Sequence, residues 1–266
     1  MQEIDIAKII ERRTGKPLNK IAAACLRKVV HQSEMNEILR TGEGLAPKDF
    51  IDHTLSALDV EYEIIRTADI PKDGRYIFVA NHPLGSVDGM IIGRTLLDEY
   101  SDAGVIVNDM LANIPPLRPL WIPVNKYGRQ KSDNRTVYEE ALASATKQIA
   151  TFPAGFCSRK IDGRITDTEW KPRFIRDALQ YGRKIVPVYV DGALSKRFYS
   201  IYTFRKKLGI KTNIELALLA DEMFRQHGRK IKIVFGSPID ASVLDGTVEE
   251  RCEHIRKAVY TLQNIL

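Results

Sequence analysis

From about Val60 onward, short apolar runs alternate with stretches of helical periodicity, and this alternation limits the folds open to the 266-residue chain more than any other feature. The runs Val60–Arg66, Tyr76–Ala80, Val105–Val107, Leu120–Val124, Gln148–Phe152, Ile185–Val190 and Ile231–Phe235 have the length and β-branched content of buried strands. Val87–Tyr100, Asn134–Lys147, Arg173–Tyr181, Asn213–Arg225 and Thr247–Leu266 read as helices. The pattern predicts an α/β fold with a mixed, largely parallel central sheet flanked by helices. Residues 1–58 read as an N-terminal helical extension and 59–266 as the α/β domain, with Gly42, Gly44 and Pro47 interrupting the helical region. Within the extension, Leu18, Ile21, Ala22, Cys25, Leu26, Val29 and Val30 recur at helical spacing, with Lys20, Arg27 and Lys28 between them. Such a helix either packs on the main domain, the favoured reading, or lies on a membrane surface.

A net charge of +6 and a pI of about 9.1 suit a partner carrying negative charge: nucleic acid, anionic lipid or a phosphate-bearing substrate. Cys25, Cys157 and Cys252 are odd in number and widely spaced, so they form neither a disulfide framework nor a metal pattern, and a reducing cytoplasm is expected. The N-terminus MQEIDIAKIIERR lacks the apolar core of a signal peptide. No apolar run approaches the roughly 18–20 residues of a membrane span, so a protein of this sequence that acts on lipids would sit on the membrane.

Chemistry concentrates first at Tyr76–Gly89 (YIFVANHPLGSVDG). The strand stops at Asn81-His82-Pro83, and Gly85 and Ser86 lead into the next helix. A histidine at such a turn with a carboxylate six positions on, Asp88, has the elements of an oriented base: one ring nitrogen bonds the carboxylate and the other takes a proton. The plainer alternative makes Ser86 the helix N-cap, with Asp88 a first-turn charge. Open α/β sheets bind ligands at the carboxyl ends of their strands, where this pair is expected.

Two further loops follow predicted strands. Thr151–Lys160 (TFPAGFCSRK) combines Pro153 and Gly155 with Ser158, Arg159 and Lys160, a composition suited to an anionic group, although it is not a P-loop. Leu120–Lys131 (LWIPVNKYGRQK) places Lys126, Arg129 and Lys131 after a strand. Pro187 interrupts Ile185–Gly192 and suggests a bulge or strand end beside the site. Together the loops would converge on one rim of the sheet.

In that order the segments resemble the glycerolipid acyltransferase family, typified by lysophosphatidic acid acyltransferases, and more narrowly its hemolysin-like branch, which acylates lyso-ornithine and related amino-acid lipids. The similarity covers roughly residues 60–240. Asn81, His82 and Asp88 match the family's first block, with five residues between His and Asp, one more than the usual form. Val124-Asn125-Lys126 is the nearest match to the second block, with Lys in place of Arg. Phe152, Pro153 and Gly155 match the third, usually Phe-Pro-Glu-Gly-Thr-Arg-Ser, but Ala154 replaces the Glu and the Arg is displaced to Arg159. Val186-Pro187-Val188 matches the fourth. The lost Glu and displaced Arg favour a head group other than the phosphate of lysophosphatidic acid.

The resemblance implies acyl transfer from an acyl thioester, on acyl-carrier protein or CoA, to a lyso-lipid hydroxyl at the inner face of the cell membrane. His82 would be the general base, oriented by Asp88. Asn81, Lys126, Arg129, Phe152, Pro153, Gly155, Ser158 and Arg159 would line the substrate site, with backbone N–H groups near Gly155 as candidates for the oxyanion. No metal or bound cofactor is implied. Three other readings compete with this one: a lysophosphatidic acid acyltransferase, a hydrolase using Cys157 with His82 as base, and a basic nucleic-acid-binding protein. The last is prompted by net charge and by the aromatic, basic tract Lys196–Lys207, which suits a headgroup-level membrane contact or a half-buried surface helix equally well. His31, His53, His227 and His254 read as structural or solvated histidines without partners.

Overall fold

Tyr76–Ala80 forms strand β2, and every one of its residues is buried. Tyr76, Phe78 and Ala80 enter one apolar core while Ile77 and Val79 enter another, as expected of a strand covered on both faces. Its neighbours follow from that burial. In the computed structural model, which describes residues 3–108, 111, 114–124, 132–209, 215 and 218–266 (without side chains at 12–14 and 132–133), β2 is the middle strand of a seven-stranded sheet. The others are β1 (Glu61–Arg66), β3 (Ala103–Asn108), β4 (Trp121–Val124), β5 (Gln148–Thr151), β8 (Lys184–Val190) and β9 (Lys230–Phe235), in the order β1-β9-β8-β2-β5-β3-β4. All adjacent pairs are parallel except β8 and β9, so the sheet is mixed with a parallel centre. β2, β5, β3, β4 and β8 therefore all end at the same rim. The predicted strands correspond to these seven with ends shifted by a residue or two.

Helices cover both faces. On one lie α3 (Gln32–Thr41), α4 (Pro47–Ala57) and α5 (Ser86–Glu99); on the other, α6 (Ser132–Ala143), α7 (Arg173–Tyr181) and α10 (Val248–Thr261). α5 packs tightly because Gly93 allows it: a Cβ there would lie 2.8 Å from a Leu120 methyl and 3.1 Å from Val105. Ile38, Leu39, Phe50, Ile51, Leu55 and Leu58 share a core with the strands, so residue 58 marks a change of secondary structure within one core. The apolar stripe along α2 (Lys20–Val29) splits: Val30 at its C-cap is buried, whereas Ile21 (84% exposed) and Cys25 face outward.

Pro187 neither ends nor bulges β8, which continues to Val190. Its missing N–H falls on the β9 side, where its C=O accepts the Gly236 N–H at 2.8 Å. There β9 has already ended, and residues 236–238 separate it from the Ile185↔Ile239 bridge, so no ladder bond is lost. Three histidines read as partnerless have partners. His31 bridges Asp221 (3.0 Å) and Glu34 (3.4 Å), His53 meets Thr41 (2.9 Å), and His227 meets the Leu58 carbonyl (3.3 Å). The hairpin of β6 (Arg159–Ile161) and β7 (Arg164–Thr166) was not anticipated. The described part of the predicted helix 213–225 is α9 (Leu219–Phe224).

Arg183 holds the opposite end of the sheet from the rim. Its guanidinium donates to the carbonyls of Leu142, Tyr76, Lys147, Ala141 and Ser144 at 2.7–3.2 Å. Burial pulls it down to about 10, so it stays charged at neutral pH. The C-terminal dipole of α6 and the ring of carbonyls take the place of a carboxylate partner. Arg183→Met fills the volume but leaves those buried carbonyls unpaired. Chemical denaturation should show a loss of about 3 kcal/mol or more; an unchanged midpoint would contradict the role assigned to this residue.

Candidate active site

The site is built on the turn from β2 into α5. Gly85 adopts φ +75°, ψ −121°, a conformation that a side chain would strain, and is the N-cap of α5 in place of the expected Ser86. This turn brings Asp88, in the first turn of the helix, back beneath the end of the strand. Its carboxylate is fully enclosed and accepts the Leu84 N–H at 3.1 and 3.0 Å, one at each oxygen. His82 Nδ1 lies 2.8 Å from Asp88 Oδ2. Asp88 thus both satisfies an orphan amide at the helix start and holds the imidazole. Burial pushes its carboxyl above the ordinary range, while the His82 bond pulls it down.

The imidazole is fixed on a second side by Phe152, whose ring stacks on it at 4.2 Å between centroids and 27° between planes. Phe152 directly follows β5, the parallel neighbour of β2, and so emerges at the same rim. With Nδ1 on Asp88, a neutral His82 carries its proton there and offers Nε2 as the base. The side chain keeps 19% of its surface open, and among the described residues Nε2 has no hydrogen-bond partner. An oriented base with an open nitrogen, next to a sealed carboxylate, can remove a proton from a bound hydroxyl.

The other candidate residues divide. Asn81 is buried, exchanging hydrogen bonds with Val190 (Nδ2 to C=O, 2.9 Å; N–H to Oδ1, 2.7 Å), and stitches the end of β2 to β8. Pro153 is buried, with its carbonyl on the Lys171 N–H at 3.1 Å. Gly155 is exposed in a left-handed turn (φ +64°), its own N–H donating to the Phe152 carbonyl at 2.9 Å. Ser158 and Arg159 point inward. Ser158 Oγ donates to Asp167 Oδ1 at 2.5 Å. Arg159 lies between the Phe198 and Tyr202 rings, 5.0 Å from each centroid, with Glu215 at 3.4 Å. Asn125, Lys126, Arg129 and Lys131 lie outside the described residues.

Asp167 and Trp170 are site neighbours that do not stand out in the sequence. A signal for Asp167 is present: Asp162-Gly163 between Arg159-Lys160-Ile161 and Arg164-Ile165-Thr166 is the two-residue hairpin pattern. Both turn residues have positive φ, 47° and 80°, and the pairing Arg159↔Thr166 sets Ser158 opposite Asp167. Cys157 is buried behind Gly85, and burial pushes its thiol up to about 12, so it is a protonated thiol at neutral pH.

Comparison with known proteins gives the family of the chain. The pattern of a family described as "Acyltransferase" matches residues 11–266, and the chain belongs to that family. It is an enzyme that transfers acyl groups. A protein of Bacteroides thetaiotaomicron named lyso-glycine lipid O-acyltransferase is 37% identical over 265 residues, covering 97% of both chains. One of the same name from Phocaeicola vulgatus is 36% identical, over 97% of this chain and 95% of its own. Among solved structures, the 1-acyl-sn-glycerophosphate acyltransferase PlsC of Thermotoga maritima aligns over 94% of this chain and 99% of its own, at TM-score 0.49 and 17% identity.

Two outcomes test the site. Asp88→Asn keeps an acceptor for the Leu84 N–H but loses the charge that fixes the imidazole; kcat should fall roughly 10²–10⁴-fold while the fold persists. Because the folded state raises the Asp88 pKa, wild type loses stability as pH rises through the carboxylate range. Thermal melts should therefore favour the variant increasingly over that interval. Loss of structure in step with activity would instead make Asp88 a purely structural carboxylate. For the thiols, iodoacetamide should label Cys25 in the native protein and spare Cys157 and Cys252, and Cys157→Ser should retain turnover; a dead, folded Cys157→Ser would revive the thiol mechanism.

Proposed function

We propose that the enzyme moves a fatty acyl chain from an acyl thioester, on acyl-carrier protein or CoA, to the hydroxyl of an amino-acid lyso-lipid of the lyso-glycine or lyso-ornithine type. The observation that carries this reading is the 2.8 Å bond between His82 Nδ1 and the sealed Asp88, with the ring still open to the rim. His82 Nε2 takes the proton of the acceptor hydroxyl as its oxygen attacks the thioester carbonyl. The carbon–sulfur bond then breaks, and the imidazolium returns the proton to the leaving thiolate. Asp88 stabilises the imidazolium between these events. The step needs no covalent enzyme intermediate and no resident cofactor or metal.

The acceptor class draws support from both relatives, whose names specify a lyso-glycine lipid. It also draws support from the Thr151–Lys160 loop, whose arginine is Arg159. Its one arginine is enclosed against Glu215, and Arg205 Nε meets the same carboxylate at 2.8 Å, so this guanidinium is committed internally instead of facing an acceptor phosphate. Lysophosphatidic acid is correspondingly the second choice.

Work at a membrane surface, on the cytoplasmic side, fits the exposed groups. No helix among the described residues is long and apolar enough to cross a membrane. In α8 (Lys196–Lys207), Phe198 and Tyr199 are buried and Tyr202 is half-buried, which leaves a weak base-stacking surface for nucleic acid. Phe204 (64% exposed) and Leu208 (58%) project beside Lys206 and Lys207, a pairing suited to anionic headgroups over acyl chains.

Purified enzyme supplied with acyl-carrier-protein and CoA thioesters should acylate lyso-glycine lipid faster than lysophosphatidic acid, and His82→Ala should nearly abolish either reaction while keeping the wild-type melting profile. Wild-type rates in His82→Ala would remove the base mechanism; a preference for lysophosphatidic acid would correct the acceptor. Phe204→Asp with Leu208→Asp should weaken sedimentation with phosphatidylglycerol vesicles by roughly tenfold or more, and unchanged sedimentation would move the membrane contact elsewhere.

A further inference from the structure

The catalytic histidine needs its main chain fixed as firmly as its ring. β2 stops at Ala80, two residues short of it. The loop bearing the β6–β7 hairpin supplies what the strand does not: the His82 N–H donates to Asp167 Oδ1 at 3.2 Å, and the His82 carbonyl accepts the Ser158 N–H at 2.7 Å. The two clamping residues are joined to each other through Ser158 Oγ and Asp167 Oδ1, 2.5 Å apart. Trp170 Nε1 donates to the second carboxylate oxygen at 2.9 Å. Asp167 is itself anchored on the C-terminal helix, its N–H donating to the Tyr260 phenol oxygen at 2.7 Å and its carbonyl accepting the Arg256 guanidinium at 3.3 Å.

The donors around this carboxyl define its state. The N–H groups of His82 and Trp170 can only donate, and with the Ser158 hydroxyl they place three donors on two oxygens, an arrangement that the ionised carboxylate satisfies. Burial pushes Asp167 above its ordinary range and the donors pull it back. Two enclosed carboxylates therefore flank His82, Asp88 on the ring and Asp167 on the main chain.

We propose that Asp167 is a positioning residue for acyl transfer: it locks the His82 main chain to the hairpin and to α10, and it supplies negative charge beside the imidazole when that ring takes up a proton. The role rests on the reading of His82 as the general base. Around Asp167 stand His82, Asp88, Cys157, Tyr189, Tyr260 and Arg256. Burial pushes Cys157 and Tyr189 up to about 12 and raises Tyr260, which keeps all three protonated at neutral pH, so the His82 imidazole is the probe of the charge at Asp167.

Asp167→Asn preserves shape and one acceptor oxygen but removes the charge. In the full chain, an NMR titration of the His82 imidazole, assigned by the signal lost in His82→Ala, should show a midpoint lower by at least about half a pH unit. In the same variant kcat should fall about tenfold or more, with KM for the lyso-lipid changed less than about twofold. Ser158→Ala, which leaves the charge in place, should keep the wild-type midpoint. An Asp167→Asn protein with the wild-type midpoint and kcat overturns the proposal. Should that variant fail to fold, Tyr260→Phe removes the acceptor for the Asp167 N–H: a kcat at least about threefold lower at unchanged KM supports the clamp, and wild-type kcat overturns it. Retained turnover in His82→Ala would defeat the base reading itself, whereas an inactive His82→Ala with an unmoved Asp167→Asn titration defeats only the role of Asp167.

Discussion

The hydrogen bond from His82 Nδ1 to Asp88 fixes which nitrogen of the ring can act as a base, and the surrounding fold is organised to keep that bond dry and aligned. Asp88 is enclosed beneath the strand end, so water does not compete for it. Removing a carboxylate from water is costly unless it is hydrogen-bonded, and the Leu84 N–H and the imidazole together offset that cost. The same enclosure gives the pair its strength: in a low-dielectric site an imidazolium is stabilised by an adjacent carboxylate far more than in water. Gly85 makes the turn possible, and the parallel strands on either side bring Phe152 against the ring.

The Thr151–Lys160 loop acts differently from the turn after β2. Its serine and arginine are directed into the protein, where they bond Asp167 and Glu215. A loop whose polar groups are satisfied internally is a rigid wall of the site, and its rigidity passes to His82 through the Ser158 N–H. Arg159 stacked between two rings and paired with a carboxylate couples the loop to α8, the helix that also carries the exposed Phe204. The wall beside His82 and the exposed Phe204 thus share one packed unit.

Much of the fold could be read from sequence, because its signals are local. Each strand of the sheet is a short β-branched run, and the turn after β2 announces itself by His82, Gly85 and Asp88 standing close together. Burial direction was not legible in the same way. Nothing near Arg159 indicates that Glu215 will neutralise it, and nothing near His31 indicates Asp221; both partners come from distant elements. The aromatic tract of α8 reads equally as interfacial or as a half-buried surface helix, and only tertiary packing, which buries Phe198 and Tyr199 and leaves Phe204 exposed, decides which rings face inward. The β6–β7 hairpin is hidden for another reason: its strands are polar and short, so periodicity carries no signal, and only the Asp162-Gly163 turn marks it.

The most direct measurement of the central claim is the tautomer of neutral His82, read from the nitrogen-15 chemical shifts of its ring in the full-length protein. A base oriented by Asp88 carries its proton on Nδ1, with Nε2 unprotonated and exposed at the rim. A ring protonated on Nε2 would present a donor where the acceptor hydroxyl must give up its proton, and would contradict the account.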